Sequence, residues 1–495
     1  MASILQRPIL VGGVGLSLLL WFWQSFDAAV GQLDELVLLG AIAIGGLLLF
    51  QKKKPKAAPI QLDLALVERA TVEKAIASAE NGIIRLESEA PNHNANPQLR
   101  QKLAELTAEL DRQQISLAVT GGKGVGKTSL VELLQSTWLP QTQPNIQIKE
   151  TPALLAADEV GLAAEQNALA IATASDLVLF LTSGDLTDSE LQILEQLKTT
   201  NQPTVLVFNK QDQYLPEERE LVLNQLQQRM PGILGDGDVV AIAANPKAIK
   251  VLQHQSDGSV QESWQQSTPA IELLTERLNQ IIAQHSQQLV LATTWRQAIV
   301  LAAEAKSGLN QIRRDRALPA IEQYQWITAA TAFANPVPAL DLVATGAINA
   351  QLIVDLSGIY QQKFSLEQAK TLATTMGSLM LKLGLVEFST QTITSVLKTN
   401  AITFVAGGLV QGVSAAYFTR IAGLSLIEYF QEQETVSAEG DNILNMDSLR
   451  EKVQTVFQQN QRIAFVQSFV KQAVTRLMPE SPQPQLASAE TIVNG

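Results

Sequence analysis

The chain reads as an α/β domain, a mostly parallel sheet flanked by helices. It sits between an N-terminal pair of apolar segments and a long all-α region. Three observations predict this. Short apolar β-runs alternate with helical stretches between about 114 and 288. From about 267 onward the sequence is helix-prone and rich in Gln and Ala. Residues 9–26 and 36–50 carry no charge at all.

The two uncharged runs come first. A span needs roughly 20 apolar residues, and Trp21 and Trp23 extend the first run at the interface. Asp27, Asp34 and Glu35 lie between the runs, and Lys52-Lys53-Lys54-Pro55-Lys56 follows the second. Positive residues stay on the cytosolic side, so residues 1–56 are expected to form a two-span hairpin in a lipid bilayer. Residues 57–113 read as a helical linker. Leu62, Leu66, Val67, Val72, Ile76, Ile83 and Leu86 recur at helical spacing, residues 91–97 break the pattern, and a second helix spans about 98–112.

Ile115-Ser116-Leu117-Ala118-Val119-Thr120 is a β-prone run, and Ser129-Leu130-Val131-Glu132-Leu133-Leu134 continues as a helix. Between them Gly121-Gly122-Lys123-Gly124-Val125-Gly126-Lys127-Thr128 fits the phosphate-binding pattern G-x-x-x-x-G-K-[ST]. The glycines let backbone N–H groups close on anionic oxygens. Lys127 would reach the β- and γ-phosphates, and Thr128 would hold Mg²⁺, with Ser129 completing the loop. Thr204-Val205-Leu206-Val207-Phe208 reads as a buried parallel strand, and Asn209-Lys210-Gln211-Asp212 stands just past its C-terminal end. The Asp212 carboxylate can pair with the N1 and N2 donors of guanine, which adenine lacks, while the Lys210 stem packs on the base and Asn209 braces the turn. The two motifs together predict GTP or GDP as ligand. After the strand Val239-Val240-Ala241-Ile242-Ala243, the pair Ala243-Ala244 is the candidate for backbone closure over the base.

This order of elements resembles the small-GTPase-like family that includes Era and TrmE, over residues 114–288. Asp176-Leu177-Val178-Leu179-Phe180-Leu181 matches its central strand, and Asp185-Leu186-Thr187-Asp188-Ser189-Glu190 opens a helix. The resemblance implies a D-x-P-G motif, which here reads Glu150-Thr151-Pro152-Ala153. Glu150 would take the role of the metal-side acid, while Ala153 lacks the family's glycine and Leu154 stands where some members carry a catalytic glutamine. Gly124 replaces the P-loop asparagine that binds potassium in TrmE-like proteins. Thr142, then Thr137, are the candidates for the first switch, against an ordinary loop or helix hydroxyl. Lys127 and Glu150 are therefore the catalytic candidates, with Thr128 and Glu150 at the metal, and turnover is expected to be slow.

Beyond the α/β domain, residues 289–478 are expected to be all-α. The stretch Asn335-Pro336-Val337-Pro338-Ala339-Leu340-Asp341, with Gln351, Asp355 and Tyr360, resembles the YcjF-like helical domain of unknown function over about 320–432. Residues 401–419 are uncharged and contain Gly408-x-x-x-Gly412, which reads as a buried bundle helix or as a segment able to enter lipid. Residues 479–495 read as a disordered tail.

The chain has no cysteine, which removes disulfides, thiolate metal sites and cysteine nucleophiles. Its net charge of −12 argues against a nucleic-acid surface. The expectation is a membrane-anchored GTP-binding protein, a slow GTPase acting as a switch or membrane-organising protein on the cytosolic face. The Gln-rich composition and domain order look like cyanobacterial members, which leaves plasma membrane and thylakoid equally open. Homo-oligomers and a protein effector are its expected partners. The alternatives are a non-hydrolysing GTP-binding scaffold and a dynamin-like remodeller.

Overall fold

The computed structural model describes residues 67–142, 145–154, 159–254, 260–334, 338–399, 407–433 and 445–477. The chain divides into two units, residues 1–61 and 62–495, and the first lies outside the described residues together with the expected membrane hairpin. The expected tail at 479–495 lies outside them as well.

The second unit begins with two helices, α1 (Arg69–Glu89) and α2 (Asn96–Glu109). Val72, Ile76, Ala79, Ile83 and Leu86 form the buried stripe of α1, the spacing read from the sequence. Pro97 in the first turn of α2 supplies a φ already suited to helix entry.

A five-stranded parallel sheet follows. Its strands are β1 (Ile115–Gly121), β2 (Ile146–Glu150), β3 (Leu177–Thr182), β4 (Thr204–Phe208) and β5 (Val239–Ala241), in the spatial order β2-β1-β3-β4-β5. Every residue of β1, β3, β4 and β5 is buried, as expected of strands covered on both faces. Alternation along the strands feeds two cores. Leu117, Val119, Leu179, Leu181, Val205 and Val207 face α3 (Lys127–Leu133) and the first turns of α7 (Glu272–Ala334). Ala118, Val178, Phe180, Leu206 and Phe208 face α4 (Glu159–Thr173), α5 (Asp188–Thr199) and α6 (Pro216–Arg229). Thr187 caps α5 reciprocally with Glu190, which fixes where that helix starts.

An antiparallel hairpin, β6 (Ile249–His254) with β7 (Val260–Gln265), follows the sheet and was not expected. The β-branched Ile249 and Val251 either side of Lys250 and the Asp257-Gly258 dipeptide were the available signals.

The helical region is continuous with the α/β domain. The expected join near residue 288 falls inside α7, an unbroken helix of 63 residues. Its early residues (Leu274, Leu278, Ile281, Ile282) belong to the core under the sheet. Its middle (Leu291, Ala298, Leu301, Ala305, Leu309) packs on α1 and α2. Its last third (Ala317, Ile321, Ala329) enters the C-terminal bundle with α8 (Pro338–Ile359), α9 (Leu366–Lys382), α10 (Leu385–Thr399), α11 (Gly407–Gln433), α12 (Met446–Asn460) and α13 (Ile463–Leu477).

Within 401–419, residues 407–419 form the start of α11, and they pack into this bundle. A methyl group on Gly408 would stand 2.6 Å from the Phe333 carbonyl oxygen, and one on Gly412 2.8 Å from that of Ala329. The small-residue pair thus lets α11 approach the backbone of α7. Among the described residues no helix is long and apolar enough to cross a membrane.

Candidate functional site

The site forms at the C-terminal edge of the sheet, where β1 and β4 end side by side across β3. After β1 the chain turns through Gly122–Gly126 into α3. Lys127 opens that helix and is 7% exposed; its Nζ donates to the carbonyls of Gly121 at 3.0 Å and Gly122 at 2.8 Å. Burial pushes its ammonium pKa down, against the opposing charge of Glu150.

After β4 the backbone makes a left-handed turn at Lys210 (φ 62°), a conformation that costs a non-glycine residue about 1–3 kcal/mol. The surroundings fix it. Asn209 donates its N–H to Thr182 O at 2.8 Å, and Gln211 donates to Ile242 O at 3.2 Å. Asn209, 2% exposed, then joins the motifs across 84 positions: its Nδ2 donates to Val125 O at 2.8 Å. Lys210 Nζ donates to Gly124 O at 2.6 Å. Gly126 is glycine for this reason. Its φ is +95°, and a Cβ there would lie 2.3 Å from Asn209 Nδ2.

A cavity of about 480 Å³ opens between the loops, lined by Gly124, Gly126, Ser129, Asn209, Lys210 and Lys247 among others. That volume lies within the range usual for small-molecule sites. Asp212 stands beside it, with one carboxylate oxygen accepting the Lys247 N–H at 3.2 Å. On the other side of the phosphate loop, Thr128 Oγ1 donates to Glu150 Oε1 at 2.7 Å, which puts two hard oxygen ligands together at the end of β2. Among the described residues no group of three or more acids or histidines could hold a metal by itself.

Four placements differ from the sequence expectation or add to it. Ala243 and Ala244 use their N–H groups within the protein, donating to Ala270 O at 2.9 Å and to Asn209 Oδ1 at 3.0 Å. The cavity is lined at that point by Asn245, Pro246, Lys247 and Ala248 instead. The register is set by the Ala243–Ala270 bridge and by the Asn209 brace, whose partner at Ala244 local sequence does not reveal. Leu154 is 1% exposed and packs with Phe180 and Ala168, while its N–H donates to Gly121 O at 3.1 Å. Glu190, singled out only as part of a helix start, is 7% exposed; a Cβ on Gly122 would stand 3.7 Å from its Oε1, so this acid lies against the loop. The Thr-x-x-Glu spacing was the signal for its position. The Thr137 hydroxyl donates to Leu133 O at 2.7 Å within its helix, and that of Thr142, the extended residue just past the turn Leu139–Gln141, donates back to Trp138 O at 2.8 Å.

A second cavity, of about 360 Å³, lies on α7 beside the end of α11 and includes Lys306, Asn310, Arg314 and Gln431. Arg314 pairs there with Glu428 at 3.0 Å, and Gln431 donates to the Tyr360 hydroxyl at 3.3 Å.

The fold and site define a parallel-sheet α/β domain with a glycine-rich loop after its first strand, continuous with a helical C-terminal region. Residues 301–462 match the family described as a domain of unknown function (DUF697), which covers well under half of the chain. No curated protein matches the chain. Solved structures with some likeness include a GTP-binding protein from the hyperthermophilic archaeon Sulfolobus solfataricus in complex with GDP, 17% identical, covering 45% of this chain and 70% of that one at a TM-score of 0.26. A LAO/AO transport system kinase is 14% identical and covers 60% of this chain and 100% of its own at 0.26. An oligomerised bacterial dynamin pair is 13% identical and covers 88% and 82% at 0.25. Likeness at these scores carries no weight for function.

Proposed function

We propose that the chain is a membrane-anchored GTP-binding protein of the Era/TrmE-like kind, with slow GTP hydrolysis driving a switch or membrane-organising role. The observation that carries the reading is the interlock of Asn209 and Lys210 with the carbonyls of Val125 and Gly124. It makes one cavity out of a phosphate cradle and a base-reading turn.

In this reading the loop N–H groups and Lys127 bind the triphosphate, whose charge offsets the burial that lowers the ammonium pKa. Asp212 accepts the N1 and N2 donors of guanine, giving up the Lys247 N–H as it does so. Thr128 and Glu150 fit Mg²⁺, which would complete its shell with phosphate oxygens and water. When bound, that ion neutralises charge on the phosphates. Anchoring rests on the uncharged runs at 9–26 and 36–50 and the lysines that follow, with the α/β and helical regions on the cytosolic side.

Leu154 favours a second reading. Its buried side chain cannot orient an attacking water, which suits a scaffold that holds GTP without hydrolysing it. Titrating the full-length protein in detergent with GTP and ATP analogues, with phosphate release followed in parallel, separates the readings. GTP-selective binding with turnover, both lost in Lys127→Ala, supports the GTPase. Binding without turnover supports the scaffold, and equal affinity for ATP sinks both.

A further inference from the structure

We propose that Lys123 is a built-in catalytic cation for the γ-phosphate, supplied from within the phosphate loop of the same chain. This deepens the GTPase reading and rests on it.

Two side chains that would be asked to assist hydrolysis are committed elsewhere. Leu154, next to the Glu150–Ala153 motif, is turned into the core beside Phe180. Thr142 bonds back to the preceding turn, at Trp138 O. The lysines around the loop divide in the same way. Lys127 Nζ is held by the carbonyls of Gly121 and Gly122. Lys210 Nζ is held by Gly124 O. Lys123 is exposed and has no hydrogen bond or ion pair to any described residue. It stands in the middle of the loop, between Gly122 and Gly124, on the segment whose backbone wraps the phosphates. Gly124 (φ +75°) turns the chain directly after it, and Glu190 lies against Gly122, so an anion entering the loop meets a buried carboxylate that an added cation would offset.

In hydrolysis the water oxygen bonds to the γ-phosphorus and the bridging P–O bond breaks. Its electron pair goes to the β-phosphate oxygen of GDP, and the water protons leave with the released phosphate and to solvent. Negative charge grows on the bridging and γ-oxygens, and a preplaced ammonium stabilises it. A positively charged finger acting in cis or in trans is worth about 10³–10⁵ in rate in other phosphoryl-transfer sites, and loss of one preorganised donor costs about 10²–10³.

The test uses full-length protein in detergent, with GTP affinity and single-turnover phosphate release measured on the same samples. Lys123→Ala keeps the backbone N–H of the loop. Its affinity should change by less than about tenfold while the single-turnover rate falls about 10²–10³-fold, and Lys123→Arg should recover most of that rate. Wild-type turnover in Lys123→Ala overturns the proposal. Wild-type protein that binds GTP but never hydrolyses it also overturns it, while leaving GTP binding intact; absence of binding in the wild type overturns the underlying reading as well. Mixing Lys123→Ala with Lys127→Ala should restore nothing. Recovery would show that the lysine acts from a second copy and would overturn the assignment to its own chain.

Discussion

Substituting Gly126 with alanine tests the interlock on which the site depends. The left-handed φ of +95° costs an alanine about 1–2 kcal/mol. The new methyl would sit 2.3 Å from Asn209 Nδ2, so Asn209 must move and lose its bond to Val125 O, worth about 1 kcal/mol. Overpacking of the buried contact adds about 1–3 kcal/mol. The total is about 3–6 kcal/mol. Gly124 is the control: its φ is +75°, but no atom lies within 4 Å of an added Cβ, so only the backbone cost of about 1–2 kcal/mol applies. The Gly126 variant relieves its clash by moving the loop away from Asn209, and nucleotide must then drive the loop back. Gly126→Ala should therefore bind GTP roughly 30- to 700-fold more weakly than Gly124→Ala, the equivalent of about 2–4 kcal/mol. Titration calorimetry on the full-length protein reads this difference directly. Equal affinities for the two variants would refute the reasoning, because the steric contact with Asn209 would then carry no energy.

Other outcomes follow from particular contacts. Glu150→Ala should remove the Mg²⁺ dependence of turnover, because Thr128 would keep no carboxylate partner; unchanged dependence in a metal titration would place the ion elsewhere. Asp176 is fully buried and accepts two 2.9 Å bonds from Arg112 and one of 2.7 Å from Ser116 N, so Asp176→Ala should cost about 3–5 kcal/mol in urea unfolding. Gly412→Ala should lower the melting temperature even though alanine favours helix, because its methyl meets the Ala329 carbonyl at 2.8 Å. Gly377→Ala in α9, with nothing within 4 Å, should raise it, and the same sign for both would refute the close packing of α7 and α11. Burial pushes the Tyr360 phenol up to about 12, so between pH 10 and 12 the unfolded phenol ionises while the folded one stays neutral. Stability should fall as pH rises through that window and be insensitive to this group below it, as urea midpoints set beside tyrosinate absorbance would show.

The amino-acid sequence by itself determined the parts whose signals are local. The burial of Val119, Leu179 and Val207 follows from apolar runs a few residues long, and the glycine-rich turn after β1 and the tight turn after β4 lie where residue types at fixed spacing put them. The helical stripe of α1 and the cap of α5 were legible for the same reason. What tertiary structure decided concerns partners distant along the chain. Asn209 reaches Val125 and Ala244 only once the sheet order is set, and that is what commits the Ala244 N–H and leaves Asn245 to line the cavity. Leu154 is apolar in any reading, but only packing against β3 shows its side chain withdrawn from the site. The continuous run of α7 through both regions was illegible because its stripe changes face twice, from the sheet to α1 and then to α11. Each local window looks like the helix of a separate domain, and a single helix runs through, past Pro319 with its missing N–H, because a new neighbour covers each successive buried face.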